Sequence, residues 1–225
     1  FFTKTSSEIN LPILASYLNL NKNNCVLNQI HSNKIVFGSE TQRTKKASAD
    51  GIVGDEHNQN LWIYTADCMP ILFADKRKRF VAAMHCGRKG LENRIIKNLL
   101  KIFNKLGSTK EDILVAIGPS ISKQHYLLDK KTLEDFYQRE KSEEQSSSLK
   151  NNKSFFYLKN LIKFKKQTHI SLDLKKHAYF QLLNENIPKT NIDVSLLCTY
   201  ELSNDFYSWR KSKTLSRQWS FISPS

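Results

Sequence analysis

The chain has 225 residues, of which 40% are hydrophobic and 25% charged. That is enough apolar material for one buried core, and it excludes disorder along the whole length. Lys and Arg outnumber Asp and Glu by 35 to 21, a formal charge of +14, which raises nucleic acid or an anionic surface as a partner. The excess is carried by 27 Lys against 8 Arg, whereas proteins that read base edges rely on Arg. The balance therefore argues against nucleic acid and leaves small anionic ligands. Apolar runs such as Phe80 to His85 are too short to span a bilayer, and no charged-then-apolar leader opens the sequence. Four cysteines without a C-x-x-C pair fit a reducing compartment, so a cytoplasmic location is expected. Cys25 and Cys198, in apolar runs, read as packing thiols.

In chain order, short apolar or alternating runs predict strands at Cys25–Ile30, Lys34–Phe37, Gly51–Val53, Leu61–Ala66, Pro70–Ala74 and Phe80–His85. Leu91, Ile95, Leu99, Ile102, Phe103 and Leu106 then recur at helical spacing, with Gly107 as the stop. A strand follows at Ile113–Ile117 and a short helix around Lys131–Arg139. The polar, Ser-rich stretch 140–152 reads as a surface loop. Further strands are predicted at Phe155–Leu158, Asp193–Thr199, Phe206–Trp209 and Gln218–Ile222. Between the first two of these lies a helix with Ser171 as N-cap and Leu174, Ala178, Leu182 and Leu183 on its apolar face. Many strands and few helices in mixed order predict one α+β domain over 1–225, with mixed β-sheets.

Three segments place a metal-competent or nucleophilic side chain at a strand end: His31 in NQIHSNKI, Cys68 in TADCMP and His85 in AAMHCG. Pro70 forces Met69 away from helical dihedrals, so the chain at Cys68 is extended or kinked. One reading is a Cys–His dyad, in which the imidazole holds the reactive thiolate. Another is a three-ligand zinc site with its fourth position open. Spacing alone does not choose between them. His57, His169 and His177 read as structural or surface residues, and His125 is left open.

These blocks resemble the YfiH-like family, also called the laccase-domain or multicopper polyphenol oxidase family. The resemblance runs from Phe1-Phe2-Thr3-Lys4 through Gln29-Ile30-His31, Ala49-Asp50-Gly51-Ile52-Val53 and Thr65-Ala66-Asp67-Cys68-Met69-Pro70. It continues in His85-Cys86-Gly87-Arg88-Lys89-Gly90, Ala116-Ile117-Gly118-Pro119-Ser120-Ile121, Asp205 to Arg210, and Ser216-Arg217-Gln218. It implies a layered α/β/β/α arrangement similar to the catalytic domain of cytotoxic necrotising factor. It also implies a zinc-like metal on His31, Cys68 and His85, with Cys68 and His85 as the catalytic pair. Departures exist: His85-Cys86-Gly87-Arg88 lacks the family's Trp and displaces its Arg, and Cys86, next to His85 on a strand, should face the other way.

The family name suggests copper oxidase chemistry. Such sites are built from many imidazoles, typically in H-x-H pairs, and this chain has six His and no H-x-H. Zinc is expected rather than copper, because a Cys-His-His set lacks the weak axial partner of a blue-copper site. The resemblance implies purine nucleoside phosphorylase activity on adenosine, inosine, guanosine and methylthioadenosine, together with adenosine deamination. The expected partners are purine nucleosides and phosphate, with no nucleic acid and no membrane. Arg43, Arg88 and Arg210 are the candidates for gripping phosphate. A Cys–His amidase that edits peptidoglycan precursors is the alternative on the same residues, and a non-enzymatic basic binding module is a third reading.

Overall fold

The computed structural model describes residues 11–20, 23–43, 46–146 and 169–224. The order is α1 (Leu11–Tyr17), β1 (Asn23–Val26), β2 (Ile35–Phe37), α2 (Gly38–Arg43), β3 (Gly51–Val53), β4 (Gln59–Thr65), β5 (Met69–Asp75) and β6 (Val81–Cys86). Then come α3 (Arg88–Glu92), α4 (Ile95–Lys105), β7 (Ile113–Ile117), β8 (Leu127–Asp129), α5 (Lys130–Ser146) and β9 (His169–Ser171). The last elements are α6 (Leu174–Asn184), β10 (Ile192–Val194), α7 (Trp209–Ser212) and β11 (Gln218–Ile222).

A six-stranded sheet has the order β10-β7-β5-β6-β3-β2, and a three-stranded sheet the order β1-β4-β11. Both are mixed. In the large sheet β5 pairs antiparallel with β6 and β7, whereas β10–β7 and β2–β3 are parallel. In the small sheet β1 runs parallel and β11 antiparallel to β4. β5 and β6 sit at the centre of the large sheet with both faces covered, which is why they read as near-continuous apolar runs.

Alternation along β6 separates the layers. Ala82, Met84 and Cys86 join one core with Ile95, Ile96, Leu99, Leu100 and Phe103 of α4 and Leu174, Ala178 and Leu182 of α6. Val81 and Ala83 join a second core with Cys25, Leu61 and Ile63 of the small sheet. Trp62, on the other face of β4, packs with Leu14 and Ala15 of α1 and with Trp219 and Phe221. The result is the layered α/β/β/α arrangement that the resemblance implies. Cys86 faces the helical side, opposite His85, as the strand period requires.

Several boundaries differ from the sequence reading. The helix expected across Leu91 to Leu106 is two helices, broken where Arg94 adopts a left-handed φ of 57°. The break is tied to the β1–β2 connection by the Asn33 side-chain amide, which donates to the Asn93 carbonyl at 2.8 Å. The N-cap of α6 is Asp173, whose carboxylate accepts from the Lys176 amide, and Ser171 instead ends β9. Phe206–Trp209 is not a strand: Phe206 is buried, and Ser208 caps α7 by accepting from the Lys211 amide. The run Asp193–Thr199 is a strand only to Val194, after which Cys198 makes an isolated bridge to Ser120. The backbone of 140–146 continues α5; 147–152 and Phe155–Leu158 lie outside the described residues. Among the described residues no helix is long and apolar enough to cross a membrane.

Candidate functional site

Three connections meet at the end of the central strands. β6 delivers His85, which is paired in register with Pro70 of β5. Cys68 precedes β5 directly. The β1–β2 connection brings in His31. One ligand atom from each of His31, Cys68 and His85 lies within 4.8 Å of the others. The two imidazoles meet edge to face, with centroids 4.7 Å apart and planes at 86°.

Asp50, just before β3 and fully buried, organises the cluster. Its carboxylate accepts the amides of Ile30 (3.3 Å), His31 (3.0 Å) and Ser32 (2.6 Å), and the Ser32 hydroxyl (2.8 Å). This holds His31 at a left-handed φ of 57°, a conformation uncommon for a residue with a side chain. The same carboxylate bonds His85 Nδ1 at 2.8 Å, and its backbone carbonyl accepts the His85 amide. With Nδ1 committed, Nε2 is the ring nitrogen left for Cys68 or a metal. Hydrogen bonds from His85 and Ser32 overcome burial and keep Asp50 below the usual carboxylate range.

Cys68 sits on a sharp turn. Asp67, the residue before it, has φ 89° and is buried. Its carboxylate accepts the Thr199 hydroxyl at 2.7 Å and the Arg210 amide at 2.6 Å. Gly87 completes the pocket for the sulfur, since a Cβ there would stand 2.6 Å from Cys68 Sγ. The conformation of Gly87 is ordinary, with φ −95°; space is what demands the glycine.

Burial opposes charge on both members of the pair, but their mutual attraction outweighs it. The His85 charge and hydrogen bonds from both imidazoles bring the Cys68 thiol down to about 6. The Cys68 charge and the Asp50 bond raise His85 to about 9. The pair titrates as a unit. It exists as thiolate and imidazolium between these values: the sulfur protonates below the lower one, and the imidazole loses its proton above the upper one. Alkylation of Cys68 in chelator-treated protein should therefore follow a curve with its midpoint near pH 6 rather than near 9. Cys25, Cys86 and Cys198 are buried, and burial with two nearby negative charges pushes Cys86 well above its ordinary value, so Cys68 should react first. A curve centred near the ordinary thiol value, read by mass spectrometry of the modified peptide, would refute the ion pair.

The cluster opens on a cavity of about 580 Å³. Tyr64, Tyr126 and Trp209 line it together with the cationic residues Arg88, Lys89, Arg210 and Arg217. Arg210 stacks over Tyr126, 5.0 Å from the centroid, and donates to the Leu127 carbonyl at 2.8 Å. Arg88 pairs with Glu92 one turn along α3. The side chain of Arg43, at the end of α2, lies outside the described residues. Asp50, Asp67, Thr199, Tyr126, Trp209 and Arg217 belong to the site although the sequence reading did not select them. Asp50 stands in the block Ala49-Asp50-Gly51-Ile52-Val53 that carries the resemblance, but its burial shows only in the fold.

The donor set of one thiolate sulfur and two imidazole nitrogens suits a divalent cation of borderline softness. The fit is supported by Asp50, which fixes the His85 tautomer, and by the cavity beside the three donors. The second group of metal-competent side chains among the described residues is His125, Cys198 and Glu201.

The chain is 27% identical over 233 residues to a purine nucleoside phosphorylase of Synechocystis sp., covering 99% of this chain and 88% of that protein. It is 30% identical over 204 residues to the purine nucleoside phosphorylase YlmD of Bacillus subtilis, covering 86% and 68%. The crystal structure of YlmD from Geobacillus stearothermophilus superposes with a TM-score of 0.77 at 26% identity, over 94% of this chain and 77% of that one. Residues 4–225 match the family described as multi-copper polyphenol oxidoreductase laccase, and the chain belongs to that family.

Proposed function

We propose that the protein is a purine nucleoside phosphorylase acting on adenosine, inosine, guanosine and methylthioadenosine, that it also deaminates adenosine, and that zinc is its metal. The observation that carries this reading is the sulfur–imidazole cluster in the wall of a cavity that is both aromatic and cationic. The names of the bacterial relatives support it. Tyr64, Tyr126 and Trp209 offer aromatic side chains to a purine. Arg88 and Arg210 offer guanidinium groups to phosphate.

In phosphorolysis a phosphate oxygen attacks the ribose C1′. The bond from C1′ to the purine nitrogen breaks, its electron pair leaves with the base, and the base takes up a proton. In the metal-free cluster His85, protonated up to about 9, would supply that proton from Nε2 while Asp50 retains Nδ1–H; with zinc on Nε2 that nitrogen carries no proton, and the base takes its proton from solvent in the cavity. In deamination a water oxygen adds to the purine C6 and the amino group leaves as ammonia, the water giving up a proton and the amino group taking one. Held by His31, Cys68 and His85, zinc would supply Lewis acidity at this end of the cavity.

The Cys–His amidase reading rests on a specific observation of its own. Asp50, His85 and Cys68 form a hydrogen-bonded chain ending on a thiolate held by a sharp turn. In that chemistry Cys68 would attack a carbonyl and His85 would protonate the leaving amine.

The test is chromatography of products from adenosine, inosine and methylthioadenosine, with and without phosphate and with and without chelator. Adenine and ribose phosphate are expected from adenosine when phosphate is present, with inosine as a second product. Zinc-loaded, folded protein that leaves all three nucleosides unchanged and hydrolyses an amide would replace this reading with the second.

A further inference from the structure

His125, Cys198 and Glu201 stand apart from the residues that line the catalytic cavity, yet one ligand atom from each lies within 4.8 Å of the others. Two segments bring them together. The backbone of Cys198 bridges that of Ser120, and the Thr199 amide donates to the Ser120 carbonyl at 3.3 Å. A turn closed by the Leu202 amide on the Cys198 carbonyl then brings Glu201 back over Cys198. His125 comes from the turn after Ser120 and lies flat on Tyr200, with centroids 4.3 Å apart and planes at 11°.

The donors are set as ligands rather than as packing. Cys198 is 3% exposed, but its sulfur is not merely packed: it accepts the Ser122 amide at 3.2 Å. Lys175 comes from α6 to the 195–197 segment that leads into Cys198. Its ammonium is held by the carbonyls of Ser195 and Leu197 at 2.9 and 2.6 Å, which ties down the backbone just before Cys198. His125 Nε2 is 2.9 Å from Glu201 Oε1. Zinc bonds of about 2.0–2.2 Å to nitrogen and oxygen need only a small opening of that contact. Glu201 is half exposed, with 53% of its side chain accessible, which leaves a route in from solvent.

We propose that His125, Cys198 and Glu201 form a second divalent-cation site, for a borderline-soft ion such as zinc, that clamps the wall of the cavity. Thiolate, imidazole and carboxylate together match zinc better than magnesium or calcium, which take oxygen ligands. The clamp would join two segments that both reach the catalytic site. Ile121 and Tyr126 line the cavity on either side of His125 in sequence, and Thr199, next to Cys198, holds Asp67 beneath Cys68. This inference does not depend on which reaction the cavity performs.

Cobalt(II), a zinc substitute whose bonds to thiolate absorb in the near ultraviolet, tests the site directly. The His31→Ala/Cys68→Ala variant removes two ligands of the first cluster. It should still bind one equivalent of cobalt with that absorption, and adding Cys198→Ser should abolish the band. A folded double variant without the band, or a band that survives Cys198→Ser, overturns the proposal. If the double variant does not fold, zinc titrations of the wild type and of Glu201→Gln decide the matter, because the exposed glutamate is not needed for the core. Two classes of zinc site in the wild type, with one weakened at least about tenfold in Glu201→Gln, support the clamp. Superimposable titrations refute it.

Discussion

Cys68→Ala should lower every turnover of this protein by about 10²–10⁴-fold, the scale on which loss of a positioned acid–base or nucleophilic group is felt. The substitution removes the sulfur ligand and the thiolate together, and with them the charge that raises His85. His31→Ala then separates two mechanisms. Its side chain is exposed, and the Asp50 carboxylate holds its backbone rather than its ring. The Asp50–His85–Cys68 chain should therefore survive the substitution. If the metal is required, His31→Ala should be as damaging as Cys68→Ala, since two ligands hold zinc poorly. If the thiolate and imidazolium act alone, a substantial fraction of activity should remain. Steady-state rates of the two variants, with zinc content measured on the same samples, give the answer. Full activity in Cys68→Ala would mean that the chemistry lies elsewhere.

Asp50→Asn should cost about 3–5 kcal/mol of stability, the range for removing one partner from a buried, paired charge. The new amide would direct N–H groups at donors, because Asp50 accepts from three consecutive amides, a hydroxyl and an imidazole. The sign of the accompanying shift follows from the pair. Without the negative charge on Asp50, His85 should titrate lower than about 9. With His85 less often charged, Cys68 should titrate higher than about 6. Denaturant unfolding measures the first effect, and the pH dependence of Cys68 alkylation in the folded variant measures the second. An unchanged unfolding curve together with an unchanged alkylation midpoint would remove Asp50 from its central position.

The parts of this molecule that could be read from sequence are those fixed by local pattern. β5 and β6 announce themselves as apolar runs because both of their faces are buried, and Cys68 and His85 at their ends are the natural candidates for chemistry; the strand expected over Cys25–Ile30 stops at Val26, so His31 lies in a connection and not at a strand end. What escaped the reading depends on partners far along the chain. Asp50 works through amides some twenty residues earlier and an imidazole 35 residues later, so no window around it reveals the role. The break at Arg94 lies inside a run whose helical spacing continues on both sides, and the amide that ties it comes from Asn33, 60 residues away. Phe206 to Trp209 has the composition of a strand, yet the cap at Ser208 and the acceptor at Asp67 turn it into the start of a helix. Arg217 stood in the block Ser216-Arg217-Gln218, but only the fold sets it beside the cavity.

The two hydrogen bonds on the Asp67 carboxylate have a consequence for when the turn at Cys68 is completed. They reach Thr199 and Arg210, 132 and 143 residues further on. On the ribosome the strands around Cys68 are synthesised long before either partner exists, and contacts this distant in sequence form late. Until residue 210 has emerged, the turn at Asp67 has its carbonyl held by the Ile121 amide but lacks both bonds to its carboxylate. The full set of bonds on this turn is therefore complete only when the C-terminal segment docks, so a chain truncated before Thr199 should hold Cys68 less firmly than the whole protein does.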